Sequence, residues 1–140
     1  MFEKSQLIYA YTRADALSDG FQVLAPTDLS SEIGIKYPVF FTRSVWDRYV
    51  EVDPLMPHQS LEGRLWDILY MFALRAKNVS GSEFEFTFIC QMPEQLPLGR
   101  YERFSQTYRI TREITLTAKI GPTDIDNPSP AITIMFADED

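Results

Sequence analysis

Few side chains in this 140-residue sequence have the types and spacing that catalysis requires. The sequence has one histidine, His58, so a Cys–His or Ser–His relay would have to use it, and a metal site built on several histidines is excluded. His58 lies in the proline-rich turn MPHQS, whereas Cys90 occupies an apolar position of an alternating segment, which is typical of a buried thiol. There is no G-x-G and therefore no glycine-rich phosphate loop. We expect no catalytic residues, no cofactor and no metal site.

The stretch LIYAYTRADALSDG contains Tyr11, Thr12 and Arg13, the first set of residues that could contact a ligand. Threonine is a common helix N-cap and glycine a common C-cap, so Thr12 and Gly20 predict the two ends of a short helix. The stretch also resembles the opening of small ADP-ribosyltransferase-like enzymes, in which a strand ends in His-x-Thr and the histidine helps to hold the nicotinamide-side ribose of NAD. Ala10 stands in place of that histidine, and a methyl group cannot replace the hydrogen bonds of an imidazole.

Arg64, Trp66 and Asp67 form the second set. They could line a groove beside a sheet, with Arg64 holding an anion. Alternatively, Arg64 and Asp67 are three residues apart on a predicted helix and could form an ordinary exposed ion pair. The sequence leaves both interpretations open.

Acidic residues outnumber basic ones, which limits the classes of molecule that the protein could bind. Thirteen lysines and arginines against 20 aspartates and glutamates give a net charge of −7, which repels a phosphate backbone and suits docking on a basic protein surface. The apolar runs are too short for a membrane span, and the first residues do not begin a signal peptide. A single cysteine favours a reducing compartment. We therefore predict a cytoplasmic protein that binds neither nucleic acid nor membranes.

Carboxylates also occur close together near the C-terminus. Asp124-x-Asp126-Asn127 is similar to the start of a calcium loop but lacks the glycine and the closing glutamate, so we interpret it as a turn. The final residues, 138–140, are either a solvated tail or an acidic contact for a basic partner.

The hydrophobic pattern predicts an α+β fold in a single domain over residues 1–140. Apolar residues at helical spacing indicate a central helix over 61–78, and strict alternation indicates strands over 82–90, 108–120 and 131–136. These strands should form an antiparallel C-terminal sheet with its apolar face on the helix. The first half predicts alternating short elements: strands over 6–11, 21–24 and 37–42, and helices over 13–18, 27–33 and 43–50.

The loop over 92–106 is longer than a hairpin needs, so it is a candidate contact loop. Its residues Tyr101, Arg103 and Phe104, together with the polar face of the sheet, are the predicted partner contact. Glu83 and Glu85 lie on that face and are expected to point into solvent.

Four stretches carry a resemblance to a known family: LIYAYTRADALSDG, YPVFFTRSVWDRYV, EGRLWDILYM and the ending ITIMFADED. They are similar to small proteins of unknown function carried on plasmids, integrative elements and phages. The resemblance implies a mobile-element setting and no particular chemistry, and it does not extend to residues 79–112.

These observations favour a non-enzymatic accessory protein of a mobile element that binds another protein. A regulatory or an anti-defence role would suit such a protein. The alternative is an ADP-ribosyltransferase-like enzyme that uses NAD. DNA mimicry is a third option, which the interspersed arginines and lysines disfavour. The oligomeric state is left open.

Overall fold

A computed structural model describes residues 11–52, 59–94 and 108–139. Residues 6–10 of the predicted first strand, His58 and the contact residues Tyr101, Arg103 and Phe104 lie outside these residues. Within them the fold is α+β, as predicted: short helices and one long helix pack on a single sheet. None of the helices in the described stretches has the length and apolar character needed to cross a bilayer.

Five described strands form a mixed sheet in the order β1-β2-β5-β4-β3. Their bounds are β1 Gln22–Leu24, β2 Val39–Thr42, β3 Glu83–Glu94, β4 Tyr108–Asp124 and β5 Asn127–Met135. The three C-terminal strands are antiparallel, as predicted, but they are longer than their alternating segments, and β3 includes residues 92–94 of the predicted loop. The sheet also differs from the prediction in its extent, because β2 joins it by pairing with β5 in parallel and β1 then pairs with β2.

The short N-terminal helices form at or within one residue of their predicted bounds. Helix α1 spans Arg13–Asp19 and α2 spans Thr27–Ile33. Each ends at a glycine in the left-handed conformation, Gly20 at φ +81° and Gly34 at φ +103°, a region that residues with a Cβ rarely adopt. Both helices therefore stop sharply, and the chain turns back to the sheet within a few residues.

The predicted helix over 43–50 has two parts. Thr42 caps an α-helical turn, α3 (Arg43–Val45), and the chain continues as a π-helix over Trp46–Val50. The wider turn is closed by the Glu51 N–H, which donates to the Trp46 carbonyl at 2.8 Å. The apolar side chains of this segment are buried, as their spacing predicted: Val45, Trp46, Tyr49 and Val50.

The long central helix, α4, spans Leu61–Ala76 and ends two residues before its predicted limit. Leu65, Ile68, Leu69 and Phe72 of α4 are buried in one cluster with the inward side chains of the sheet. Strand alternation places those side chains on a single face, listed here as Val39, Phe41, Phe86, Phe88, Leu116, Ala118, Ile132 and Ile134. The predicted packing of the sheet on this helix is confirmed.

Arg64 is buried in this packing, with 4% of its surface exposed, and so is not half of an exposed helix pair. Its guanidinium donates to the Tyr49 carbonyl at 3.2 Å and to the Gln91 carbonyl. It therefore joins α4 to the π-helix and to the edge strand β3. A buried cation is tolerated here because its N–H groups meet carbonyl oxygens.

We predict that Arg64→Met lowers the free energy of unfolding by about 2–4 kcal/mol, because the carbonyls of Tyr49 and Gln91 lose their buried donor. Arg75→Met is the matched control: Arg75 also lies on α4 and donates to a β3 carbonyl, that of Glu85 at 3.3 Å, but it is exposed. The control should change stability by less than about 1 kcal/mol. Urea denaturation of both variants makes the comparison, and equal losses would contradict the role given to Arg64.

Candidate functional site

Four segments that are far apart in the sequence meet at one end of the sheet. They are the start of α1, the turn between β4 and β5, the start of α3, and residues near 139. Between them lies an open groove of about 1350 Å³, called here the N-terminal groove. It is lined by Tyr11, Thr12, Arg13, Ala16, Phe21, Gln22, Thr42, Arg43, Ser44, Pro122, Thr123, Asp124, Ile125, Asp126, Pro128, Met135 and Glu139. The first predicted ligand set thus lies beside the predicted acidic turn.

Asp124 caps the start of α1 from the opposite end of the sequence. Its Oδ1 accepts from the Arg13 N–H and its Oδ2 from the Ala14 N–H, both at 3.0 Å. The Ile125 N–H also donates to Asp124 Oδ1, at 2.8 Å, within the turn itself. These backbone hydrogen bonds, with the nearby Arg13 charge, lower the pKa of Asp124. The turn predicted for this segment is confirmed, and its first carboxylate occupies the anion-binding position of a helix N-terminus.

Thr12 completes the cap. Its Oγ1 accepts from the Asp15 N–H at 3.0 Å, and the Thr12 N–H donates to Asp15 Oδ2 at 3.1 Å, which is a reciprocal capping box. The Ala16 N–H donates to the Thr12 carbonyl. Every backbone N–H from residue 12 to residue 16 therefore has an acceptor within the protein, and the helix-cap interpretation of Thr12 is confirmed.

The Arg13 side chain crosses from α1 to the face of the sheet opposite α4. Its Nε donates to the Thr123 carbonyl at 2.6 Å, one terminal nitrogen to Gln22 Oε1 at 2.8 Å, and the other to Thr133 Oγ1 at 2.9 Å. The guanidinium carbon also lies 4.0 Å from the centre of the Phe40 ring, a cation–π contact. Arg13 thus connects α1 to β1, β4 and β5 by hydrogen bonds and to β2 by the cation–π contact. Each of its guanidinium nitrogens already donates to a protein acceptor.

The opposite wall of the groove is held in a similar way. Arg43 donates through Nε to the Gly20 carbonyl at 2.7 Å and contacts Asp47 at 3.4 Å. Glu139 accepts from the Thr42 hydroxyl and from the Phe136 N–H, both at 2.8 Å. The acidic ending therefore folds back onto the chain at Glu139, in contrast to the solvated tail that was one of the two expectations.

Apolar side chains remain exposed on the groove surface. The exposed fraction is 56% for Tyr11, 62% for Phe21 and 56% for Ile125. The Tyr11 hydroxyl donates to Asp19 Oδ2 at 2.7 Å, and this bond with burial and nearby carboxylates raises the Tyr11 pKa to about 12. The accessible part of the groove thus consists largely of apolar surface beside polar groups that are already hydrogen-bonded.

The second predicted set does not converge in this groove. Arg64 is buried, whereas Trp66 and Asp67 are exposed on α4. Partial burial raises the pKa of Asp67, and the Arg64 charge opposes that rise. Cys90 is buried, as predicted, and burial raises the pKa of its thiol, which disfavours the thiolate.

The polar face of the C-terminal strands is only partly as predicted. Glu83, Glu85 and Thr115 are exposed on it, but Thr117 is buried. Ile89 is 64% exposed on the same face of β3, directly opposite Glu113 of β4. Because the loop residues Tyr101, Arg103 and Phe104 lie outside the described residues, the predicted contact surface stays a prediction.

Sequence reasoning did not single out Phe21 or Ile125 as site residues. Each is a large apolar residue next to a turn signal, Gly20 or Asp126, where a buried side chain is not required. Their place beside a turn was the signal that could have identified them as exposed apolar residues. No local pattern shows that the two turns face one groove.

Comparisons with known proteins give one match. A model described as a family of unknown function, DUF6573, matches residues 1–140. The match includes residues 79–112, so the expectation that the family resemblance stops short of this segment was wrong. Neither the search of curated proteins nor that of solved structures found a match.

We predict that Asp124→Asn lowers the Tm at pH 7, because the amide lacks the charge that the start of α1 stabilises. A carboxyl whose pKa is lowered by folding contributes stability above its unfolded pKa, about 3.9, and this stability is lost as pH falls through the folded pKa. The Tm difference between the native protein and the variant should therefore shrink from pH 7 to pH 2. Asp126→Asn, in the same turn, is the control. A Tm difference that does not change with pH would contradict the charged cap.

Proposed function

We propose that this chain, which belongs to the family of unknown function DUF6573, acts by binding another protein rather than by catalysis. The observation that carries the proposal is the hydrogen bonding and exposure of the side chains that line the N-terminal groove. Its ligand-like residues Thr12, Arg13 and Asp124 are hydrogen-bonded within the protein, and the large side chains left accessible are apolar. A surface of this kind is suited to excluding water against a partner.

Tyr11, Phe21 and Ile125 are the proposed anchors. Interface energy is concentrated in a few large side chains that become desolvated on binding, and aromatic residues are enriched among them. Each of the three is more than half exposed, so each has apolar area to bury against a partner. An open groove of 1350 Å³ accommodates an extended segment or a helix of a partner better than a single small molecule.

The proposed partner segment is basic as well as apolar. Asp15, Asp19 and Asp126 are exposed on α1 and on the turn that borders the groove, and the chain carries a net charge of −7. A basic segment would be drawn to this surface, and complementary charge raises the rate and the selectivity of association.

We further propose that the protein acts in the cytoplasm as an accessory protein of a mobile genetic element. The resemblance of the four sequence stretches supports this setting. The gene neighbourhood tests it: conjugation genes, phage structural genes or an anti-defence cluster beside the gene would agree, and a neighbourhood of chromosomal housekeeping genes would not.

The surface assignment is tested with two matched substitutions. Ile125→Glu places a charge among the groove anchors, whereas Ile89→Glu makes the same change at an equally exposed isoleucine on the sheet face. A partner that co-purifies with the native protein in stoichiometric amount would be purified, and its Kd measured by calorimetry. We expect Ile125→Glu to weaken binding about thirtyfold or more and Ile89→Glu to change it less than about threefold.

If Ile89→Glu weakens binding and Ile125→Glu does not, the contact surface is assigned to the sheet face and the adjoining loop. The triple variant Tyr101→Ala, Arg103→Ala and Phe104→Ala in the same assay then tests the loop itself. If this variant and Ile89→Glu both leave the Kd unchanged while Ile125→Glu weakens it, the groove alone is the contact surface.

The alternative function, an ADP-ribosyltransferase-like enzyme, has one observation in its favour. Tyr11, Thr12, Arg13 and the carboxylate of Asp124 do meet beside a groove large enough for a dinucleotide. Against it, the N–H groups at the start of α1 already bind Asp124, and the guanidinium of Arg13 binds the sheet. The pyrophosphate of NAD would therefore have to displace an internal carboxylate.

We predict that calorimetry with millimolar NAD gives no binding heat with the folded native protein. The reason is that the donors a pyrophosphate would need are already used within the chain. A saturable heat that Thr12→Val and Arg13→Met both abolish, with folding checked by circular dichroism, would support the enzyme instead.

A further inference from the structure

A second groove, of about 360 Å³, shares no lining residue with the N-terminal groove. It lies between the connection from α2 to β2 and the last turns of α4, with the sheet beneath. We call it the lysine groove. Its lining includes Lys36, Tyr37, Tyr70, Phe72, Ala73 and Lys77.

The floor and the walls of the lysine groove are apolar. Phe72 and Ile132 at the floor belong to the buried core and are each 3% exposed. The walls carry three large side chains that remain accessible: Tyr37 is 44% exposed, Tyr70 46% and Leu74 39%. Accessible apolar side chains gathered over a concave floor are typical of a ligand site rather than of scattered surface hydrophobes.

Two lysines complete the lining. Lys36 and Lys77 are both exposed, and no carboxylate belongs to the lining among the residues that the structure describes. The groove is thus locally cationic on a chain whose net charge is −7. This local positive charge favours an anionic ligand.

We propose that the lysine groove binds a small amphipathic carboxylate, with its aliphatic chain over Phe72 and its carboxylate between Lys36 and Lys77. At ~30 Å³ per water-sized group, the volume of 360 Å³ corresponds to about a dozen heavy atoms. A carboxylate with a chain of eight to ten carbons has about that size. This site is independent of the partner surface at the N-terminal groove.

The lysines have a second physical role that the experiment must separate from ligand binding. Lys36 and Lys77 follow the C-terminal ends of α2 and α4, where a positive charge offsets the helix dipole. That role predicts an effect on stability and no preference among ligands. Ligand charge, varied at constant chain length, distinguishes the two roles.

The test titrates the native protein with octanoate, 1-octanol and octylammonium, which carry one chain and three charges, and follows binding by calorimetry. We expect octanoate to bind at least about tenfold more tightly than 1-octanol and octylammonium to bind most weakly. In ¹⁵N NMR spectra the amide signals of Lys36 and Ala73 should shift with octanoate, whereas that of Asp124 should not.

Three single variants, each changing the net charge equally, identify the cations involved. Lys36→Glu and Lys77→Glu should each weaken octanoate binding about fivefold or more and leave 1-octanol within about twofold. Lys119→Glu changes a lysine of β4 that lies outside the groove lining, 3.8 Å from Glu83, and should leave both affinities unchanged. Equal affinity for octanoate and 1-octanol, an equal effect of all three variants, shifts confined to other amides, or no binding in any titration would each overturn the proposal.

Discussion

The attachment of α1 to the sheet depends on one electrostatic contact between distant parts of the chain. Asp124, at the end of β4, accepts hydrogen bonds from the first two N–H groups of α1. The Arg13 side chain of α1 in turn donates to Thr123, Gln22 and Thr133 on the sheet. A positive helix terminus and a negative turn thus neutralise each other. Because α1 precedes β1, this contact also fixes the edge formed by β1 and β2, and with it the shape of the N-terminal groove.

Arginine hydrogen bonds also join separate elements at the other side of the molecule. Arg64 uses its guanidinium on the Tyr49 and Gln91 carbonyls, and Arg75 reaches the Glu85 carbonyl of β3. An edge strand presents unpaired backbone groups that invite association. Arginines from the covering helix satisfy some of those groups while the apolar side of α4 packs on the sheet. The long strand β3 is therefore held against α4 by polar as well as apolar contacts.

Local signals in the sequence predicted local structure well, and long-range contacts were beyond them. Thr12, Gly20 and Gly34 predicted helix limits because a cap depends on residues within one turn. Alternation at Phe84, Phe86 and Phe88 predicted the inward face of β3. The parallel pairing of Val39 with Ile132 had no local signal, and neither did the meeting of Arg13 with Asp124. The sequence pattern placed Arg64 off the apolar stripe of the central helix. Its burial was not predicted, because it depends on carbonyls that two other elements supply.

The use of polar groups within the described part of the fold supports the proposal that this protein acts by binding rather than by catalysis. A catalytic group needs a pKa shifted toward its task and access to substrate. For Cys90 and Tyr11 the pKa shifts run the other way: burial disfavours the Cys90 thiolate, and the bond to Asp19 disfavours ionisation of Tyr11. Asp124 is kept ionised, but its oxygens are already hydrogen-bonded to the start of α1. What the described surface offers to other molecules is mainly shape, exposed apolar area and charge, and these are the properties that recognition uses.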